Sequence, residues 1–553
     1  MTNIKRFLSV PYNDIGAYSL LLLAVWLLYS NVVGLWWTYD DTQILKHAIL
    51  YSPYQYFLNP HIWQEFSPNF LTPLLSLSFD IDFQIFGLNP MWFYVHHLTM
   101  FWLCSVLIYV VLKRWVKGTF ALLGSLLFLI GSPVAVMSQQ LMTHHYVEGL
   151  FFALIAIHLF VQSLERRTMK WSYFSACAYA ISIVAKEVYV PLVFLLLVLP
   201  YRDGKSRLKH IVPHFFAALL YFIWRWWMLW TPLGGYGERI DGRNVLLLPY
   251  NIVNLLFDVK HKENILILSA AVFIIIILFL SKRWRSGHIG IWIFIVAMLP
   301  IIPVSHTLTY RYVFVPWVAV TFLLVSLMRV SWNSKIIGKI LCTCLLIVVM
   351  LLVASQSRKT WSDNLKMARR MNIEGKFIFE EADSHNLLRK PSFEGHYFEG
   401  IHWLKNNYYG RTGNPVWFYD DIYLCENNLK GKRVWEYMSE EQKLKDITDL
   451  IPDITRAYCA RVRTNAPLTI KSNYSKNIIS WELGPYKDGK YSYIIGGLET
   501  KKDIPPKGSL RVHFKNYVQL RIRYESPESW MTFSPYLKLN IIDDSGMIKW
   551  RRD

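Results

Sequence analysis

Long apolar runs separated by short polar breaks fill the first 355 residues of the chain. A helix needs about twenty apolar residues to cross a bilayer's hydrocarbon, and roughly eleven stretches approach that length. They lie near residues 15 to 36, 91 to 112, 118 to 136, 145 to 163, 171 to 185, 187 to 200, 211 to 230, 264 to 281, 288 to 304, 310 to 328 and 339 to 355. The fifth and sixth are short and meet at Lys186-Glu187. The first is too long for a signal peptide and lacks a small-residue cleavage site, so it is expected to remain as an anchor. Beyond residue 355 the pattern changes. Residues 356–478 mix helical and strand-like stretches, and residues 479–553 alternate with period two: Leu510, Val512, Phe514; Val518, Leu520, Ile522, Tyr524; Leu537, Leu539, Ile541. Such alternation predicts an antiparallel β-sandwich. The expected fold class is therefore a polytopic α-helical membrane protein, residues 1–355, followed by an extracytoplasmic α/β region, residues 356–478, and a β-rich, sandwich-like region, residues 479–553.

Composition sharpens this picture. Hydrophobic residues make up 53% of the 553-residue chain and aromatic residues 16%. With the polar tail included, mean hydropathy is still +0.24. A soluble enzyme, a disordered chain and a disulfide-stapled module are excluded. The net charge of +20 would suggest nucleic acid in a soluble protein. Here the basic residues crowd alternate loops instead: Lys5-Arg6, Lys113-Arg114 with Lys117, Arg166-Arg167 with Lys170, Arg202 to Lys209, Lys282 to Arg285 and Arg329 to Lys339. The positive-inside bias predicts a cytoplasmic N-terminus and a tail outside. No nucleic-acid partner is implied; the lipid bilayer is.

Residues 37–90 form the first outer loop, with prolines at 53, 60, 68, 73 and 90 expected to divide it by fixed turns. Its apolar run from Ile44 to Tyr56 predicts short helices at the membrane interface. Cys425 and Cys459 are the two cysteines in the tail and are free to pair in an oxidising compartment. No Cys or His spacing resembles a zinc site.

Candidate chemistry concentrates at the outer ends of the spans. Asp40 and Asp41 follow the first span, where a carboxylate is costly unless it meets water or a partner. Adjacent helical positions point about 100° apart, so only one of the pair can aim squarely into a given cavity. The bland alternative is an N-cap, Asp before Thr-Gln-Ile-Leu, stabilising a helix start by roughly 1 kcal/mol. Arg225 lies within the seventh span and needs an anion or a watery cavity, unless it snorkels to the outer interface. Lys186 and Arg311 fall on the same side, so three cations near one membrane face suit a phosphate or diphosphate headgroup. Glu187, His144, His145 and Tyr312 are candidates for binding sugar or acceptor. His144 and His145 with Glu148, like His96-His97, are otherwise interfacial hydrogen-bonders. A divalent metal is compatible with an Asp40/His145 cluster, but nothing in the spacing indicates one.

In order along residues 36 to 330, the chain shows Asp40-Asp41, Leu71-Thr72-Pro73-Leu74-Leu75-Ser76-Leu77-Ser78 with Asp82, Phe86-Gly87-Leu88-Asn89-Pro90, Ala185-Lys186-Glu187, Tyr221-Phe222 with Arg225, and Arg311-Tyr312-Val313-Phe314-Val315-Pro316. This ordered set resembles the GT-C superfamily of polytopic glycosyltransferases. It is most similar to the membrane half of the transmembrane, tetratricopeptide-bearing protein O-mannosyltransferases and their bacterial relatives. Thr72-Pro73, Tyr94 and Ser132-Pro133 stand where that family usually has Arg-Pro, His and His-Pro, and a different outer region replaces the repeats.

The resemblance implies transfer of a sugar from a polyprenyl-phosphate donor to an extracytoplasmic acceptor, a protein or an envelope glycan or glycolipid, with inversion. It implies Asp40 as general base, Asp41 as its orienting partner, and Lys186, Arg225 and Arg311 on the donor phosphate. It brings no resident cofactor. A bacterial inner membrane is the expected location because the eukaryotic repeats are missing. A transporter or flippase of a lipid-linked sugar is the alternative, although such proteins tend to carry repeated halves and midplane charges.

Overall fold

The apolar runs fold as helices in the computed structural model, which describes residues 12–199, 204–231, 242–258, 295–332, 336–392, 395–475, 478–495, 498–511 and 518–539. Two compact units emerge, Met1–Arg369 and Arg370–Asp553. The first contains α1 (Tyr12–Tyr29), α2 (Asp41–Leu50), α3 (Pro53–Leu58), α4 (Pro60–Phe66), α5 (Pro73–Phe86), α6 (Pro90–Leu112), α7 (Gly118–Leu129) and α8 (Ser132–Met137). It continues through α9 (His144–Arg166), α10 (Met169–Ala185), α11 (Leu192–Val198), α12 (Gly204–Leu229), α13 (Gly242–Phe257) and α14 (Phe314–Trp332) to the long α15 (Ile336–Lys376).

Among the described residues, three helical segments are long and apolar enough to cross a membrane: Asp14–Gly34, Pro90–Leu112 and Leu141–Arg166. Gly118–Leu129, Glu187–Val198, Ile295–Ser305 and Phe314–Ser326 are apolar but shorter. Large apolar side chains stand exposed on the helix surfaces, such as Leu23, Trp26 and Leu27 on α1 and Phe216, Leu219 and Ile223 on α12. A water-soluble protein does not present contiguous faces of this kind, whereas lipid solvates them without penalty. The expected span at 264–281 and the start of that at 288–304 lie outside the described residues.

The third expected span is not one helix. It stops at Leu129 and restarts at Ser132 with Pro133 in the first turn. Gly131 sits at the break because the Trp317 indole occupies the space a side chain would need: a Cβ there would stand 2.1 Å from Nε1. That indole N–H donates to the Phe128 carbonyl at 2.9 Å, taking up an acceptor near the helix end. Helices α9 and α10 approach through small residues. Ser175 Oγ donates to the Ala156 carbonyl (2.7 Å) and Ser182 Oγ to the Gly149 carbonyl (2.9 Å).

The prolines of the outer loop open helices instead of merely dividing it. Pro53, Pro60, Pro73 and Pro90 each sit in a first helical turn, where the missing N–H is no loss. Asn59 and Asn89 cap two of these starts with their side chains. The loop has its own apolar core of Tyr56, Trp63 and Leu71, shared with Met228 and Leu229 at the end of α12. Trp224 Nε1 donates to the Phe57 carbonyl (2.9 Å) and Gln64 to that of Met228 (2.7 Å), so the loop is bonded to the helix that carries Arg225.

The second unit begins with a four-stranded sheet in the order β2-β1-β3-β4: β1 (Asn386–Arg389), β2 (Val416–Phe418), β3 (Arg433–Met438) and β4 (Lys443–Asp446). β1 runs parallel to β2 and β3, and β4 is antiparallel. Helices α16 (Gly395–Trp403), α17 (Ile422–Glu426) and α18 (Ile451–Cys459) accompany it. Two antiparallel sheets follow. One holds β5 (Thr469–Ser475), β6 (Ile478–Gly484) and β9 (Lys507–Arg511); the other holds β7 (Lys490–Ile495), β8 (Leu498–Ile504), β10 (Val518–Glu525), β11 (Met531–Phe533) and β12 (Leu537–Leu539). Leu483 from the first joins Tyr491, Ile504, Ile522 and Tyr524 from the second in one apolar core, the sandwich that the alternation predicts. Residues 512–517 and 541 of that pattern lie outside the described residues.

Cys425 and Cys459 form a disulfide between α17 and α18. Replacing both by serine is expected to lower the stability of the second unit by about 4 kcal/mol, the loop-closure term for a separation of 34 residues. Hydrogen exchange of the β1 and β3 amides in the full chain checks this, and unchanged protection would deny the bridge a stabilising part.

Candidate functional site

The chain turns into α2 through Tyr39, whose φ of 49° lies in the left-handed region. A non-glycine residue held there stores of order 1–3 kcal/mol of strain, and here the strain abuts the paired acids. Asp40 takes the N-cap position. Its carbonyl accepts from the N–H groups of Gln43 and Ile44, both at 3.0 Å, while its side chain is exposed and makes no capping bond to the first turn. Asp41 is completely buried. Its Oδ2 accepts from the Thr38 N–H (2.8 Å) and hydroxyl (3.3 Å), and its Oδ1 accepts from the Met142 N–H (2.8 Å). The capping expectation is therefore corrected. Asp41 bonds backward to Thr38 and across to the segment before α9, not forward into its own helix. Burial pushes the Asp41 carboxyl up to about 8, against the opposing pull of the Thr38 and Met142 N–H groups, and the charge of Asp40 adds to the rise.

Met142 leads directly into α9, which carries His144, His145 and Glu148 in its first turns. His144 and His145 are both buried. His145 stands within electrostatic reach of Lys186 and Arg311. His144 faces other polar groups: its Nδ1 is 3.2 Å from His97 Nδ1, and its Nε2 is 3.3 Å from Glu148 Oε1. His96 packs beside it at 4.5 Å between ring centres and bonds Asp82.

The cations converge as the sequence suggests. Lys186 ends α10 and is 4% exposed, its Nζ 4.3 Å from the centre of the Phe70 ring and 5.2 Å from that of Tyr146. Glu187 lies 3.8 Å from Lys186 Nζ and 3.6 Å from Arg225 Nη1. Arg225 is 1% exposed, so it does not snorkel. Its Nη2 donates to the Asn69 carbonyl at 3.1 Å, while Nε and Nη1 make no hydrogen bond among the described residues. Both oxygens of Glu187 are likewise without one. Arg311 stacks on Tyr312, 5.1 Å from the ring centre, and acts electrostatically on Lys186, as Arg225 does.

Lys186, Glu187, Arg225 and Tyr312 line a single cavity of about 280 Å³, with Phe70, Tyr146 and Tyr221 among its walls. Gly149 makes this junction feasible: a Cβ there would lie 2.3 Å from the Tyr189 ring, so only glycine lets the turn after Lys186 press against α9. A second, apolar groove of about 800 Å³ runs between α10 and α12 past Tyr173, Ile183, Val212 and Phe216. It shares Tyr221 with the cation cavity.

Asp41 is bonded to Met142, two residues before α9, and His145 of that helix is under the electrostatic influence of Lys186 and Arg311. Sequence reasoning did not find the pairing of His96 with Asp82 or of His144 with His97. The spacing of His144 and Glu148, four apart on one helix face, is a signal that could have found part of it.

No family model matches the sequence, and no curated protein does. Among solved structures the chain is similar to ArnT from Cupriavidus metallidurans bound to undecaprenyl phosphate, with 13% identity, 83% of this chain and 96% of that chain covered, and a TM-score of 0.41. It is also similar to the Archaeoglobus fulgidus oligosaccharyltransferase tethered to an acceptor peptide, with 12% identity, 71% and 63% covered, and a TM-score of 0.35.

Between about pH 4 and about pH 8 the folded chain keeps on Asp41 a proton that the unfolded chain releases. Stability should therefore fall as pH rises through this window and level off above it. Asp41→Asn removes the titration and replaces one acceptor oxygen by an amine facing an N–H, costing about 1–3 kcal/mol. Its thermal midpoint in detergent should be lower than the wild type's at pH 5 and change less between pH 5 and pH 8. An equal decline in both proteins would assign the titration elsewhere.

Proposed function

We propose that the chain is a GT-C-type glycosyltransferase of the cell inner or plasma membrane. It moves a sugar from a polyprenyl-phosphate donor to an acceptor hydroxyl outside the cytoplasm, with the N-terminus cytoplasmic and about eleven crossings. One observation carries the reading: a cavity lined by the buried cations Lys186 and Arg225, the latter making no hydrogen bond through Nε or Nη1 among the described residues, opens beside an apolar groove that shares a wall with it. An amphiphilic phosphate with a hydrocarbon tail matches both halves. Its phosphate would meet Arg225, Lys186 and Arg311, and its isoprenoid chain would lie along α10 and α12.

The chemistry assigned here is a single displacement. The acceptor oxygen forms a bond to the anomeric carbon from the face opposite the phosphate, and its proton goes to the Asp40 carboxylate. The bond from that carbon to the phosphate oxygen breaks, the electron pair leaving with the lipid phosphate and the sugar inverting. Arg225 donates Nε–H and Nη1–H to the oxygen that gains charge, Lys186 and Arg311 add positive potential, and apolar walls strengthen each contact. Asp40 is exposed, as a group meeting an incoming hydroxyl must be; Asp41, buried and bonded to Thr38 and Met142, holds its neighbour's backbone in position. Glu187, His145 and Tyr312 are assigned to sugar or acceptor, and the β-rich region to carbohydrate of the acceptor.

Asp40→Asn is expected to lower transfer by about 10²- to 10⁴-fold, the usual worth of a positioned base, with unchanged accumulation in the membrane. Transfer at near wild-type rate would remove Asp40 from the mechanism. The purified chain in detergent is expected to release lipid phosphate from a labelled polyprenyl-phosphate sugar when an acceptor is present, and Arg225→Gln to slow that release. Donor binding without cleavage would favour a transporter.

A further inference from the structure

Near the starts of α6 and α9, donor atoms of His96, His144 and Glu148 all lie within 4.8 Å of one another. Asp82, on α5, completes the group through His96. The hydrogen bonds fix the tautomers. His97 Nε2 is 2.9 Å from the Met137 carbonyl, which can only accept, so Nε2 carries the proton and His97 Nδ1 is a lone pair. That lone pair faces His144 Nδ1 at 3.2 Å, so His144 donates from Nδ1 and keeps a lone pair on Nε2. His96 gives its Nδ1–H to the Asp82 carboxylate, at 2.8 and 2.9 Å, which leaves Nε2 as the nitrogen that could ligate a metal.

A lone pair of His144, a second imidazole and a carboxyl group are thus brought together. His144 Nε2 stands 3.3 Å from Glu148 Oε1 without a hydrogen bond, and Glu148 Oε2 has none among the described residues. Both side chains are buried, 2% and 8% exposed. Electron pairs facing each other in a dry site repel unless a proton or a metal ion lies between them. We propose that His96, His144 and Glu148 bind a divalent transition metal of the zinc class. The donor set is two nitrogens and one oxygen, as in tetrahedral zinc sites that keep a fourth position for water. Ligand bonds of about 2.0–2.1 Å put tetrahedral donors about 3.3–3.4 Å apart, the spacing His144 and Glu148 already have. Asp82 has the role of the carboxylate that orients a metal-bound histidine through its far nitrogen.

The metal would join three helices, α5, α6 and α9, at the start of α9. Two residues before that start, the Met142 N–H holds Asp41. Its part is to hold the frame that positions the paired acids, and it stands independently of which sugar, or whether any sugar, is moved.

The test uses the full chain in detergent, purified without chelator, stripped, and titrated with Zn²⁺ alone. The expected result is about one zinc per chain by elemental analysis, a higher thermal midpoint with metal, and, with Co²⁺, the intense visible absorption of four-coordinate nitrogen and oxygen ligation. His96→Asn and Glu148→Gln should each abolish the stoichiometric zinc, and Asp82→Asn, which keeps all three ligands, should weaken binding about 10- to 100-fold. A monodisperse wild-type chain that takes up no zinc overturns the proposal, and so does zinc binding that is unchanged in Glu148→Gln or Asp82→Asn. None of these measurements depends on sugar transfer.

Discussion

Charge in an apolar interior has to be answered where it stands, and this constraint organises the membrane unit. Moving a guanidinium or an ammonium out of water costs several kcal/mol even after relaxation. Lys186 and Arg225 are almost wholly buried, and Glu187 bridges them at 3.8 and 3.6 Å. Those separations are long for ion pairs that also hydrogen-bond, so the cluster retains an excess of positive potential. Aromatic faces at Phe70 and Tyr146 and the Asn69 carbonyl offset part of the cost. The donor phosphate proposed for this cavity would offset the rest.

The outer loop supplies much of this support and is itself braced by the helices. Its tryptophan and tyrosine core is completed by the end of α12, and in return its Asn69 carbonyl fixes the guanidinium that α12 presents. Asp41 works at the other end of the loop as a two-sided pin between Thr38 and Met142. The paired acids therefore divide by depth. One is spent on holding the loop to α9, and the other is left facing outward.

Much of this was legible in the sequence because the signals are local. Twenty-residue apolar runs, the period-two alternation along β10 and the cations set within apolar surroundings each declare themselves within a short window. That Asp40 and Asp41 would point apart followed from the helical angle, but which one is buried depended on Met142, a hundred positions away. The break at Gly131 depended on Trp317, which no local pattern links to it. The cluster of His96, His144 and Glu148 was hidden for the same reason: its ligand spacing exists between helices, and only the His144–Glu148 pair is visible along one of them. The pairing of Cys425 with Cys459 was open in the sequence and became definite once β-strand and helix order brought α17 against α18.

The groove between α10 and α12 carries a kinetic corollary. Because it is flanked by helix faces bearing exposed apolar side chains, a lipidic ligand using it would arrive and depart laterally, never passing through water. Occupancy would then follow the mole fraction of that lipid in the surrounding leaflet rather than any bulk molarity. Diluting the membrane with inert lipid would starve the protein even when the total amount of ligand stays constant.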